Sequence, residues 1–148
     1  MTPFNPQYSA DPPVPPFAPT NPLAGTITAT SFIASWAAPS FTGRLALRNY
    51  TIDTRREGSE ICPGDSDYVA ALEGISSATT TATVPSLHPY SRYTFRVIAF
   101  NSVYRSDPSV ASAQFQTPQA GQEKSQLSLQ QKICNYIMYD NYGAWIPL

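Results

Sequence analysis

Between about Pro19 and Pro118, apolar and polar residues alternate in short runs, the period-2 pattern of half-buried strands. Phe32, Ala34 and Trp36 alternate with Ile33 and Ser35, Tyr50 and Ile52 with Thr51 and Asp53, and Ala82 and Val84 with Thr81 and Thr83. The longest run, Tyr93 to Phe100, sends Tyr93, Phe95, Val97 and Ala99 one way, and a last run from Ala111 to Phe115 closes the set. Turn-forming clusters separate the runs: Pro39 to Gly43, Glu57 to Ser59, Cys62 to Asp65 and Ser106 to Ser109. No part of this region reads as a helix. About seven strands in ~100 residues predict an all-β fold, a two-sheet antiparallel sandwich.

The flanks break the pattern. Eight of the 15 prolines lie in the first 22 residues, and Asp11 to Pro19 fixes φ again and again while removing backbone donors. Residues 1–18 are therefore read as an extended arm, either a stiff linker or a pre-formed ligand for aromatic-grooved domains. In the tail, 119–148, Leu129, Ile133 and Ile137 recur every four residues with Cys134 and Met138 beside them, which predicts a short helix over 125–139. A helix that short is marginal alone, so the tail docks, meets a partner or stays irregular; the last is the simplest expectation.

Composition narrows the function classes. Apolar residues make up 42% of the 148, enough for a core, while charged residues are only 13%, about half the usual ~25%. Ser and Thr number 30, which favours strands and turns over helices. A net charge of −1 provides no basic field for nucleic acid. The longest apolar run, Tyr68 to Leu72, is far short of the ~20 residues that cross a bilayer, so no membrane insertion is expected. The first residues lack the charged and apolar regions of a secretory signal. Cys62 and Cys134 allow one bridge at most and leave the compartment open.

Ser35-Trp36-Ala37-Ala38-Pro39, the strand tyrosine in Tyr50-Thr51-Ile52, and the set Leu87, Pro89, Tyr93, Phe95, Val97, Ala99 and Asn101 together resemble the fibronectin type III family, which implies an immunoglobulin-like sandwich. The resemblance covers roughly residues 19–118. It implies that Trp36, Tyr50, Leu87, Tyr93 and Val97 form the core, and that Tyr93 pins a corner by bonding its hydroxyl to backbone near Leu87. It also implies an extracellular or receptor-ectodomain setting, in which such modules sit in tandem with neighbours and bind proteins or act as spacers. An accessory domain detached from an enzyme and a cytoplasmic scaffold are the rival roles.

Chemistry is hard to assemble from these residues. His88 is the only histidine and sits in a bend between Leu87 and Pro89, with no nucleophile opposite. Glu57, Glu60, Asp65 and Asp67 lack the spacing of a calcium loop, and two distant cysteines do not make a zinc site. Neither a catalytic residue nor a cofactor or metal is expected. Binding surfaces are easier to name. Ile98 and Phe100 alternate away from the core with Arg96, and the following loop presents Tyr104, Arg105 and Asp107, residue types common in interfaces. Arg105-Ser106-Asp107 resembles the family's adhesive Arg-Gly-Asp but departs at Ser106. Asn49-Tyr50-Thr51 is the one acceptable glycosylation sequon, and with Tyr50 inward Asn49 and Thr51 are expected to face out.

Overall fold

The alternating runs do form strands. A computed structural model describes residues 11–58 and 64–119. Its strands are β1 (Thr20–Ile27), β2 (Phe32–Ala37), β3 (Leu47–Glu57), β4 (Val69–Ser76), β5 (Thr81–Val84), β6 (Arg92–Asn101) and β7 (Phe115–Gln116). All pairings are antiparallel, in one sheet ordered β1-β2-β5 and another ordered β4-β3-β6-β7. The expected sandwich is present, with no helix among the described residues. Cys62, Cys134 and the helix expected over 125–139 lie outside them.

The core follows from side-chain alternation. Phe32, Ala34 and Trp36 of β2 meet Tyr50 and Ile52 of β3 and Tyr93, Phe95, Val97 and Ala99 of β6, with Val84 and Leu87 closing the set. Trp36 and Tyr50 touch edge to face with ring centroids 5.2 Å apart, and Phe32 lies 5.1 Å from Phe95 and 4.6 Å from Phe115. Each large side chain buried here is worth about 1.5–3 kcal/mol. The Tyr93 hydroxyl accepts the His88 N–H at 2.9 Å, so the loop from β5 is anchored before β6 begins. Burial pushes the Tyr50 hydroxyl above the usual phenol range, and the facing Trp36 indole pulls it back in part.

Two features depart from simple alternation. β3 is buried without interruption from Tyr50 to Thr54, because it is the long middle strand and both its faces are covered. Thr51, expected to face out, is 8% exposed. Second, Ser106 to Ser109 is not a free turn. Ser106, Ser109 and Ser112 give their N–H groups to the carbonyls of Ala99, Val97 and Phe95, each at 2.8 Å. Their hydroxyls accept the N–H groups of the same three residues at 2.9–3.0 Å. Three residues of this segment face every two of β6, so the serine hydroxyl supplies an acceptor that backbone cannot. The run expected over 111–115 accordingly shrinks to a two-residue β7.

Candidate interaction surface

Asn101 ends β6 and joins three segments at one end of the sandwich. Its side-chain N–H groups donate to the carbonyls of Val14 at 3.0 Å and Thr42 at 3.1 Å. Its side-chain oxygen accepts the N–H groups of Val103 at 3.0 Å and Tyr104 at 2.7 Å. The turn after β6 therefore spans only Asn101 to Tyr104, closed by a pairing of Phe100 with Arg105. Asn can satisfy all of this because its amide carries both donors and an acceptor.

The proline-rich arm belongs to the same end. Its prolines remove donors, so the remaining N–H groups decide where it can attach: Val14 donates to Gly43 and Phe17 to Phe41. Gly43 has φ of 79°, and a Cβ there would run into the Val14 carbonyl oxygen. Arg44 follows at φ 66°, an uncommon conformation for a side-chain-bearing residue, and its guanidinium reaches Asp11 at 3.1 Å and the Pro12 carbonyl at 3.3 Å. Phe17 and Phe41 pack with centroids 5.1 Å apart. From Asp11 onward, then, the arm is tied to the sandwich.

The surface so built exposes Val103 by 64%, Phe17 by 59% and Tyr104 by 41%. Arg105 and Asp107 are exposed beside it, as the sequence indicated, whereas Ser106 between them is buried and bonded to Ala99. That burial splits the Arg-Ser-Asp triplet. Ile98 requires a correction: it is on the outer face, but is 3% exposed and is not available as an anchor. Alternation reports which face a residue takes, and Ile98 is central on that face, between Arg96 and Phe100 and opposite Thr51. Phe100 is half-buried. Asn49 is half-buried beside Phe100 and Ser76. Phe17, Phe41, Arg44 and Val103 were not singled out in the sequence; the one available signal was a pair of aromatics in proline- and turn-rich stretches.

A second polar arrangement covers the outer face of the four-stranded sheet. The Tyr68 ring lies between the guanidinium groups of Arg55, 4.9 Å away, and Arg96, 4.5 Å away. Its hydroxyl pairs with Thr94 at 2.9 Å, and Thr94 donates to Glu57 at 2.6 Å. Glu57 also receives Arg55, and Arg96 donates to Asp53 at 3.2 Å. The Thr94 hydroxyl, and then the Arg55 guanidinium, hold the Glu57 carboxyl below the usual glutamate range against the opposing effect of burial. Each charge here is already matched, so this face has less to offer a partner than the Asn101 end.

Residues 17–115 match the model of the fibronectin type III domain. The chain belongs to the fibronectin type III family. Solved fibronectin type III structures similar to it include the FN1–FN3 domains of chicken CNTN1, with 25% identity and TM-score 0.61 over 71% of this chain and 34% of that one. The twitchin kinase region of C. elegans matches with 25% identity and TM-score 0.62 over 72% of this chain and 17% of that one. Titin domains A168–A170 match in fold, with 24% identity and TM-score 0.61 over 71% of this chain and 33% of that one. This chain thus spans about a third or less of each of these three chains. Fibronectin type III domains are generally non-catalytic modules. Among the described residues of this one, no three His, Cys, Asp or Glu side chains converge.

Proposed function

We propose that this module is a non-catalytic protein-binding unit of the adhesion, receptor or matrix kind, working outside the cell or on a receptor ectodomain beside neighbouring modules. Its contact surface is the end built from Asp11–Phe17, Phe41–Arg44 and Val103–Arg105. The observation that carries this reading is the combination of large exposed apolar groups, Val103, Tyr104 and Phe17, with a backbone fixed by Asn101. Anchors held rigid before binding lose little entropy on contact, which favours affinity. The role involves no cofactor, nucleic acid or membrane insertion. A spacer role is the second reading, supported by the arm, whose bonds to Gly43 and Phe41 fix the direction in which the chain joins the sandwich.

A photo-crosslinking residue placed at Val103 of the full chain, exposed to intact cells and their matrix, tests the proposal. Expected is a captured protein whose affinity falls at least tenfold with Tyr104→Ala or Arg105→Ala, as for an interface anchor. A captured partner indifferent to both substitutions, or no capture at Val103 with capture at Glu73 instead, overturns it.

A further inference from the structure

We infer that the outer face of the β1-β2-β5 sheet is the docking platform for this chain's own segment 125–139. The pairing Leu23 with Ser35, Gly25 with Ile33, Ile33 with Thr83 and Ser35 with Thr81 puts these six residues on one side, opposite the core-facing Ala24, Ala34 and Ala82. Leu23 is 63% exposed and Ile33 38%. No residue of the three strands carries a charge. Small Gly, Ser and Thr side chains around two apolar groups make a shallow floor that another element can approach closely.

The occupant follows from where the described chain stops and what comes next. The Tyr90 N–H holds the Pro118 carbonyl, and the Leu87 N–H holds that of Thr30, so the chain leaves at the end of the platform where the β1–β2 turn lies. Residues 119–124 reach about 20 Å if extended. The next fifteen, as a helix, would run about 22 Å, close to the ~26 Å length of an eight-residue strand. Within 125–139 only Lys132 is charged, and Leu129, Ile133 and Ile137 form one stripe. The uncharged floor thus begins at the end where the described chain stops, and among the described residues nothing covers Leu23 or Ile33. The opposite sheet offers a face of matched charges instead. This platform lies away from the partner-binding end, since Asn101 and the exit at Thr117 are at opposite ends of β6, and it is independent of the function proposed above.

The test uses the full chain with Cys62→Ser, leaving Cys134 in the stripe. A second thiol is introduced by Ser35→Cys on the platform or by Ala70→Cys, exposed on β4 of the other sheet. In a dilute glutathione buffer, the bridge from position 35 to Cys134 is expected at least tenfold more often than that from position 70. Adding Ile133→Asp, outside the sandwich, should abolish the preference. Equal yields overturn the inference. Bridges formed only between chains, with doubled mass in light scattering, assign the face to a second copy and also overturn it. In the chain with native cysteines, amide exchange over 129–137 should be slowed at least tenfold and restored by Leu23→Asp; fast exchange in both overturns it.

Discussion

On β1, β2 and β5 no residue is charged, whereas β3, β4 and β6 carry Arg48, Asp53, Arg55, Arg56, Glu57, Glu73, Arg92 and Arg96. Apart from Arg56, which pairs opposite the core residue Tyr93 and is buried, the contrast lies mainly on the outer faces of the two sheets. On the four-stranded sheet, Asp53 stands directly opposite Arg96, Arg55 opposite Thr94, and Ile98 opposite Thr51. A one-residue slip of β3 against β6 would turn Thr51, Asp53 and Arg55 to the core face while Thr94, Arg96 and Ile98 stayed, breaking the Asp53–Arg96 pair and burying charge. The polar layer therefore fixes register and at the same time covers Ile98. On the three-stranded sheet no such polar layer exists among the described residues, and Leu23 and Ile33 are left uncovered for the docking inferred above. An outer face can thus be closed by its own polar layer on one side of a sandwich and left as an uncharged floor on the other, with the same alternation underneath.

The most direct way to break this comparison is one substitution made on both faces. Ile98→Ala removes methyl groups from a site 3% exposed and should cost about 2–4 kcal/mol; Ile33→Ala, at 38% exposed, should cost less than about 1 kcal/mol. Urea unfolding measures both. An Ile98→Ala cost below about 1 kcal/mol would mean that the outer face of the four-stranded sheet is no second interior, whereas an equally large cost for both would place Ile33 under the docked segment.

Next in size is the hydroxyl comparison. Ser109 is 6% exposed, and its oxygen accepts the Val97 N–H at 3.0 Å while donating to the Val110 carbonyl at 2.8 Å. Ser109→Ala leaves a buried N–H without that acceptor and should cost about 1–3 kcal/mol. Ser35→Ala, whose hydroxyl makes only an exposed 3.5 Å contact with the Leu23 carbonyl, should stay within about 0.5 kcal/mol. Slower amide exchange at Val97 in the native chain than in Ser109→Ala would locate the effect.

These differences explain what could be read in the chain before its structure. β2, β3, β5 and β6 were legible because each keeps strict alternation around Trp36, Tyr50, Val84 or Tyr93. β1 was not, since Asn21-Pro22 and Gly25 look like turn residues and the strand carries two irregular pairings. β4 was hidden by a continuous Val69 to Leu72 run and by Gly74, which has a φ of 68°. The Ser106 to Ser112 segment reads as a turn because its spacing is three, neither strand nor helix, with Pro108 inside it. Of the proposed surface, Tyr104, Arg105 and Asp107 were visible as residue types, but the contribution of Phe17 and Arg44 depends on tertiary bonds to Phe41, Pro12 and Asp11 that no local pattern contains.

The smallest effect separates the faces by pH. One oxygen of Glu57 takes Thr94 at 2.6 Å and Arg55 at 3.0 and 3.2 Å, and these donors favour the carboxylate, so its pKa is lower in the folded chain than in the unfolded one. A depressed carboxyl contributes stability that is whole above the ordinary glutamate range near ~4.3 and is lost as pH falls through that range to the folded value, because only the unfolded chain then takes up the proton. Glu57→Gln should therefore cost about 1 kcal/mol at neutral pH and progressively less in acid. Thr83→Val on the charge-free sheet should shift stability by the same small amount at every pH. Taking each variant against the native chain cancels the other carboxylates. A Glu57→Gln cost that stays constant from pH 7 to below the glutamate range would show that the Thr94 and Arg55 bonds do not hold in solution, and the contrast between the faces would then rest on Ile98 alone.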